Sequence, residues 1–304
     1  MLLGDFLKEG VTRLEPLYPA PEARNILALL FSDRLGTSRY TYITDPGYTI
    51  NPDCVGRLSD DLERLASGEP IQYVLGHEEF CGRGFRVTPD VLIPRPETEM
   101  LCAEAVKLGN DMRRTRLAQE DSTPVRVLDL CTGSGCIAWT IALDLPGSVV
   151  YGIDISEKAL AIASGQVFPR SLSEVEALLP ERSRRPVFLQ ADILQDPPQF
   201  PGGKFDLILA NPPYILESQR KDMRPNVLDH EPSLALFVSD EDPLVFYKAI
   251  ALWAKALLSE TGTGIVEINE TLGLETSAVF LAAGFQRVEI IRDFSEKNRF
   301  VIFS

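Results

Sequence analysis

Asp129-Leu130-Cys131-Thr132-Gly133-Ser134-Gly135 is the stretch from which the fold is read: it leaves a short apolar run, Arg126 to Leu130, and enters an apolar helical stretch, Ile137 to Leu145. Glycines at such a place let the backbone approach a ligand closely and turn sharply into a helix. From Val125 onward the same alternation of apolar runs and helical patterns recurs, which is the signature of an α/β protein with a doubly wound sheet. The expected strands are Arg126 to Leu130, Val149 to Ile153, Pro186 to Gln190, Phe205 to Ala210, Gly264 to Ile268, Gln286 to Arg292 and Arg299 to Phe303. No helix separates the last two, so they are expected to form an antiparallel hairpin on a mostly parallel, seven-stranded sheet.

The loop's chemistry has two readings. Gly133-Ser134-Gly135-Cys136-Ile137-Ala138 fits the dinucleotide fingerprint G-x-G-x-x-A, and Asp154 lies nineteen residues beyond Gly135, where a ribose-binding acid falls. Asp129, at the loop's entrance, speaks against a dinucleotide, because a carboxylate there opposes a pyrophosphate and pairs instead with a positively charged amino acid moiety. S-adenosylmethionine (SAM) has an amino group and no phosphate. After the third strand, Asp192 supplies an acceptor for an adenine amino group and Ile193 an apolar contact for its ring, although both also suit an ordinary strand-end turn.

A second informative loop follows the run Phe205-Asp206-Leu207-Ile208-Leu209-Ala210. It is Asn211-Pro212-Pro213-Tyr214, in which consecutive prolines fix φ and remove two backbone donors, leaving carbonyl acceptors. A nitrogen bearing two hydrogens fits it: the Asn211 side-chain oxygen and the Pro212 carbonyl each accept one N–H, and the Tyr214 ring lies over a flat conjugated group. The lone pair of that nitrogen is then free to attack, as methylation of a planar, weakly nucleophilic nitrogen requires. The plainer alternative is a Pro-rich turn closing a strand.

Before the sheet, Leu3, Phe6, Leu7, Val11 and Leu14 recur at helical spacing, Ile26, Leu27, Leu30 and Phe31 follow Pro21, and a third helix is expected from Pro52 through Leu58, Leu62 and Leu65. These make a helical bundle over residues 1–69. Gly68-Glu69-Pro70 ends it, and Gln72-Tyr73-Val74-Leu75, Glu79-Phe80-Cys81 and Phe85-Arg86-Val87 are expected to form a β-hairpin linker over 70–92. A catalytic domain then covers 93–304, opening with a helix whose first position suits Pro96 and whose first turn carries Glu97 and Glu99. Asn110 to Thr123 is read as a surface linker, and Ser164 to Arg185 as an insertion in which Leu172 to Leu179 has a helical pattern.

Composition narrows the function classes. The chain has 304 residues, 45% of them hydrophobic, enough for about two domains with ordinary cores. The absence of a long apolar run or a leader pattern points to a cytoplasmic protein without membrane attachment. Five cysteines, Cys54, Cys81, Cys102, Cys131 and Cys136, include no C-x-x-C pair, so neither disulfides nor a zinc site is expected, and the thiols are expected to be mostly buried. His77 and His230 have no second ligand at metal spacing, and no metal is expected. With 30 Lys plus Arg against 44 Asp plus Glu, the net charge of −14 repels a phosphate backbone, which makes free nucleic acid a poor substrate. The small cluster Arg182, Arg184 and Arg185 is read as a solvated loop.

With the Gly133 loop, Asp154, Asp192 and Asn211-Pro212-Pro213-Tyr214 in this order, the chain resembles the protein-(glutamine-N5) methyltransferases, which modify the glutamine of the Gly-Gly-Gln motif in translation release factors. Gln72-Tyr73-Val74-Leu75-Gly76, Ile93-Pro94-Arg95-Pro96-Glu97-Thr98-Glu99, Glu231-Pro232 with Ala235-Leu236, and Arg292-Asp293 with Arg299 are similar to that family's signatures. The resemblance implies a class I SAM-dependent methyltransferase fold, SAM as cofactor, and a release factor as protein partner that the N-terminal bundle helps to recognise; the oligomeric state is left open by the sequence, a monomer being the expectation. It further implies that Cys131, Thr132, Gly133, Ser134, Gly135, Asp154, Ile193 and Asn211 line the methyl-donor site, while Asn211, Pro212, Pro213 and Tyr214 hold the glutamine; Asp129 and Asp192 join the donor site on the chemistry above. An adenine-N6 methyltransferase or a non-catalytic SAM-binding adaptor are the alternatives. The chain departs from the family pattern at Cys131 and Asn269, where glycine is usual, and at His230, where an aromatic residue is usual. Cys131 then either has no need of positive φ or marks an altered loop, and Asn269 is expected to serve through its tolerance of left-handed backbone.

Overall fold

The computed structural model describes residues 1–168 and 185–304. The expected helix at Leu172 to Leu179, most of the Ser164 to Arg185 insertion, and two of its three clustered arginines lie outside the described residues. Arg185 is described, with its guanidinium 5.8 Å from the centre of the Trp139 ring. Among the described residues no helix is long and apolar enough to cross a membrane.

Contacts divide the chain into two compact units: residues 1–77 with 223–231, and residues 78–222 with 232–304. The first holds α1 (Leu3–Leu14), α2 (Ala20–Leu35), the single turn α3 (Thr41–Thr44), α4 (Pro52–Ala66) and α5 (Ile71–Leu75). Its core is the apolar stripe of three helices: Leu3, Phe6, Leu7, Val11 and Leu14 from α1, Leu27, Leu30 and Phe31 from α2, and Leu58, Leu62 and Leu65 from α4. α1 and α2 approach closely because Gly10 has no side chain; a Cβ there would lie 2.8 Å from Leu27. Inside this apolar setting the Arg34 guanidinium donates to Asp61 at 2.7 Å and to the Val74 carbonyl at 2.8 Å, so neither charge is buried alone.

α5 departs from expectation. Gln72 to Leu75 is helical, and the strands of the hairpin are β1 (His77–Phe80) and β2 (Arg83–Arg86). The helix begins after Pro70 and ends at Gly76 with φ +87°, a left-handed stop. The hairpin's Phe80 and Phe85 are buried in a core of the second unit, so the hairpin is part of that unit, which differs from a separate linker over 70–92. The following helix, α6 (Pro96–Ala118), opens with Pro96 and the two acids as expected, but continues through most of the segment read as a linker.

The large sheet is built from β3 (Arg126–Leu130), β4 (Val149–Asp154), β5 (Val187–Gln190), β6 (Phe205–Ala210), β9 (Leu258–Glu267), β10 (Val288–Arg292) and β11 (Asn298–Phe303), in the order β10-β11-β9-β6-β3-β4-β5. β3, β4, β5, β6 and β9 pair in parallel, while β11 is antiparallel to both neighbours. A short parallel pair, β7 (Ile215–Leu216) with β8 (Phe237–Val238), follows the Asn211 loop. Strand periodicity sends alternate residues to opposite faces. Leu128, Leu130, Ile208 and Ala210 pack with Tyr247, Ile250, Trp253 and Phe280. Val127, Leu207, Leu209 and Ile265 pack with Leu101 and Ala105 of α6 and with Ile137, Ala138 and Ile141 of α7 (Cys136–Asp144). β6 is buried along its whole length, which is why its sequence is an apolar run broken only by Asp206; that carboxylate is paired with Arg116.

The last hairpin is locked by rings. Phe303 pairs across the sheet with Gly264 and stacks on Phe280 with 4.0 Å between centroids, while Phe285 meets it edge-on at 4.7 Å. A Cβ at residue 264 would lie 2.0 Å from the Phe303 ring, which has nowhere to move. Gly264→Ala is therefore expected to destabilise the protein by about 2 kcal/mol or more, as overpacking does. Urea unfolding of the variant checks this, and an unchanged midpoint would mean that the ring packing is loose.

Candidate active site

The chain runs from β3 outward to β4 and β5, then returns across the sheet to place β6 on the other side of β3. Such a reversal leaves a crevice outside the carboxyl ends of the two strands, where open α/β sheets bind ligands. Leu130 and Ala210 are paired at the ends of β3 and β6, so Cys131 and Asn211 are the first residues of the two loops that border it.

The loop after β3 needs three left-handed residues: Cys131 at φ +59°, Gly133 at +54° and Gly135 at +80°. The Cys131 position thus does require positive φ, and cysteine adopts it at a cost of about 1 kcal/mol or more relative to glycine. At Gly133 no neighbour stands within 4 Å of where a Cβ would be, so the backbone is open at that point. At Gly135 a Cβ would lie 2.9 Å from Ala163 and 3.2 Å from Phe188, and only glycine fits. The Thr132 N–H donates to the Ile153 carbonyl at 2.8 Å, and the Gly133 N–H to Asp154 Oδ2 at 2.8 Å, while Asp154 Oδ1 accepts the Ser156 N–H. Asp154 therefore joins the loop to the end of β4 and, as an ionised carboxylate, keeps acceptor capacity for further donors. Burial raises its pKa from the ordinary aspartate value, and the backbone N–H groups of Ser156, Gly133 and Ile155 oppose the rise.

Asp129 is enclosed, which differs from the expected direct pairing with an ammonium group. Its Oδ2 accepts the Thr132 hydroxyl and the Ala138 N–H at the start of α7, bracing loop and helix together, and its Oδ1 is buried without a partner. Burial pushes its pKa up to about 7, with Asp154 adding to the rise and the Thr132 and Ala138 bonds opposing it. Asp192 Oδ1 accepts the Leu194 N–H at 2.9 Å, so the residue does form a strand-end turn, and Ile193 beside it is buried in the core. Asp129, Asp154 and Asp192 all lie close enough to Cys131 to raise its thiol pKa further, burial being the largest cause. Asp154 and Asp192 beside one loop suit a cationic nucleoside and repel a pyrophosphate, and the unpartnered Asp129 Oδ1 lies buried behind it.

The loop after β6 is held from several sides. Pro212 and Pro213 are buried; Asn211 and Tyr214 are half-buried. Asn211 Nδ2 donates to Thr98 Oγ1 at 3.2 Å, and the Tyr214 hydroxyl donates to Glu267 Oε1 at 3.0 Å. Burial, reinforced by Glu267, raises the Tyr214 pKa well above the phenol range, so its hydroxyl stays protonated. Asn269 is not left-handed. It acts through its side chain: Nδ2 donates to the Tyr214 carbonyl at 3.0 Å and to Gln219 at 3.2 Å, and Oδ1 accepts the Thr271 N–H at 3.0 Å. A glycine could not hold the loop in this way.

Some participants were not among the expected site residues. Gln166 is buried and clasps the hairpin and the glycine loop at once, accepting the Arg86 N–H at 2.9 Å and donating to the Arg86 carbonyl at 2.9 Å and the Ser134 carbonyl at 3.0 Å. Thr98 and Glu267 meet the Asn211 loop from α6 and β9. Thr98 lies in the quoted Ile93 to Glu99 motif, which is a signal for it; no local pattern marks Gln166 or Glu267. His77 pairs with Asp33 at 2.7 Å, and His230 closes a short helix over Pro225–His230 in the first unit. All five cysteines are free; Cys102 and Cys136 are buried and the other three are half-buried, fewer than expected. Among the described residues no group of three or more His, Cys, Asp or Glu is placed to hold a metal ion.

Comparison with known proteins gives this geometry a family. A family model described as the PrmC N-terminal domain matches residues 5–76, and one described as a methyltransferase domain matches residues 121–240. A release factor glutamine methyltransferase of Bacteroides thetaiotaomicron is 39% identical over 286 residues, covering 94% of each chain. One of Flavobacterium psychrophilum is 32% identical over 301 residues, covering 99% of this chain and 98% of the other. Another, of Thermodesulfovibrio yellowstonii, is 32% identical over 259 residues, covering 84% and 85%. With similarity at this level running along both units and a sheet of the class I order, the chain belongs to the release factor glutamine methyltransferase family and is a SAM-dependent methyltransferase.

Proposed function

We propose that this protein transfers a methyl group from SAM to the side-chain amide nitrogen of the glutamine in the Gly-Gly-Gln motif of a peptide chain release factor. It acts as a cytoplasmic monomer on a protein rather than on free nucleic acid, and its N-terminal unit takes part in recognising the factor. Family membership over almost the whole chain carries the choice of substrate. The placement of Asn211-Pro212-Pro213-Tyr214 beside the glycine loop supports the chemistry.

Asp129, Cys131 to Gly135, Asp154, Asp192, Ile193 and Asn211 would hold the donor, Asp129 through its grip on the loop rather than by contact. The open backbone at Gly133 and the spare acceptor capacity of Asp154 fit a nucleoside, and the surrounding carboxylates fit its positive charge. When bound, SAM supplies an electrophilic methyl group on sulfonium sulfur. The substrate amide's two N–H groups go to Asn211 Oδ1 and the Pro212 carbonyl, and Tyr214 gives a ring surface for the planar amide. Held so, the nitrogen is fixed in position with its hydrogens engaged and its lone pair directed away from the acceptors. No side chain has to remove a proton during attack; the proton leaves afterwards to a carbonyl or to water. Positioning of this kind supplies roughly 7–11 kcal/mol in well-oriented systems.

Methyl transfer from labelled SAM to a purified release factor tests the proposal, with the factor's Gly-Gly-Gln glutamine variant, duplex DNA and RNA as parallel substrates and the product mapped by mass spectrometry. One methyl on that glutamine, absent from the variant, is expected. Methylated adenine with an unmodified release factor would reassign the Asn211 loop to a base.

Asn211→Ala is expected to lower turnover by roughly 10²–10³, the effect of losing one preorganised hydrogen bond, while changing SAM affinity much less. Unchanged kcat would remove Asn211 from catalysis. Asp129 generates a separate expectation in pH. Its carboxyl stays protonated in the native protein up to about pH 7, whereas in the unfolded chain it ionises near pH 4. The native state holds the extra proton between those values, so this group lowers stability as pH rises from about 4 to about 7, by up to about 4 kcal/mol, and adds no slope above. Asp129→Asn should remove that decline in urea unfolding measured from pH 4.5 to 8. Parallel profiles would place Asp129 near its ordinary pKa.

A further inference from the structure

Asn211 offers an acceptor to the substrate amide only if its own amide is turned one way, since the opposite rotamer presents two N–H donors to the incoming N–H. The groups that turn it lie on other elements. Glu267, the last residue of β9, is wholly buried; its Oε2 accepts the Thr98 hydroxyl at 2.7 Å and its Oε1 accepts the Tyr214 hydroxyl at 3.0 Å. An ionised carboxylate can only accept, so the single Thr98 proton is committed to it and the Thr98 oxygen has only lone pairs left. The group that meets those lone pairs is Asn211 Nδ2, at 3.2 Å. Oδ1 is thereby left as the free acceptor of the amide.

We infer that Glu267 and Thr98 are positioning residues for this reaction: the buried carboxylate sets the direction of the Thr98 hydroxyl, the hydroxyl fixes the orientation of the Asn211 amide, and the same carboxylate pins Tyr214. The inference rests on the reading of Asn211 as the acceptor of the substrate amide. The relay spans three elements, α6, the loop after β6 and the end of β9, and its members are rigid. Thr98 is buried in the first turn of α6. The Glu267 carbonyl accepts the buried Tyr247 hydroxyl at 3.2 Å. Burial raises the Glu267 pKa, while the Thr98 and Tyr214 hydroxyls that donate to it and the charge of Arg299, itself held by Asp293 at 2.9 and 3.0 Å, oppose the rise. Reversing the first bond would reverse the whole series: a group donating to Thr98 frees the hydroxyl to donate to Asn211 Oδ1, and the amide turns its N–H groups to the substrate.

Thr98→Val keeps the shape of the side chain and removes both of its roles. With a release factor as substrate, kcat is expected to fall roughly 10–100-fold, while SAM affinity stays within about twofold, and Thr98→Ser restores the rate to within about threefold of wild type. Because Thr98 acts through Asn211, adding Thr98→Val to Asn211→Ala should cause no further loss, which a merely structural defect would not reproduce. Wild-type turnover in Thr98→Val beside an impaired Asn211→Ala overturns the inference and leaves the clamp standing, as does a fully additive loss in the double variant. Normal turnover in Asn211→Ala overturns the clamp itself and the relay with it. Should Thr98→Val fold poorly, Thr98→Ala carries the test: it removes the hydroxyl with a residue that suits the helix, and an undiminished kcat would overturn the relay.

Discussion

β3 and β6 are neighbours although β4 and β5 lie between them in sequence, and the register that pairs Leu130 with Ala210 brings two loops off one edge of the sheet at one depth. Everything chemical in the protein depends on that adjacency. The loop after β3 turns into α7 through left-handed residues, and the loop after β6 is stiffened by two buried prolines, so each is rigid. The two loops are thereby held in a fixed relation by backbone pairing rather than by side-chain adjustment. The ladder is itself secured by cores on both faces of the sheet, where β6 is inaccessible along its length.

Much of this arrangement is legible in the sequence for a physical reason. Strands covered on both faces have to be apolar almost throughout, so Arg126 to Leu130 and Phe205 to Ala210 stand out as runs with the boundaries they have in the fold. β9 begins at Leu258, earlier than its apolar part, because the added residues Ser259 to Thr263 contribute no apolar side chain and leave no pattern. α6 hides its second half similarly: after Gly109 it presents mainly exposed polar side chains, which read as a linker. Tyr73 and Val74 favour a strand by propensity, but Pro70 before them and left-handed Gly76 after them enclose a turn of helix, and those stop signals outweigh the side chains.

The site divides along the same line. Residues adjacent in sequence, such as Cys131 to Gly135 and Asn211 to Tyr214, announce themselves by spacing and backbone type. Residues that act by reaching across the fold do not: Thr98 and Glu267 are 169 positions apart, and Gln166 meets Arg86 from 80 positions away. Asn269 illustrates the difference within one position. Its tolerance of left-handed backbone was the available sequence argument, whereas its use is as a bridge between Tyr214 and Gln219. Asp129 likewise has a charge visible in the sequence, and only the fold reveals that the charge is enclosed.

Cys131 introduces a chemical hazard that the same surroundings remove. A sulfonium methyl donor alkylates soft nucleophiles, and a thiolate is the softest the chain possesses. Thiols react as their anions, so the fraction ionised sets the danger. Burial and three nearby carboxylates hold the Cys131 thiol well above its ordinary pKa, keeping it uncharged at neutral pH. The negative field around this loop therefore works against thiolate chemistry at Cys131, and a cysteine at that position is kept a poor nucleophile toward a sulfonium.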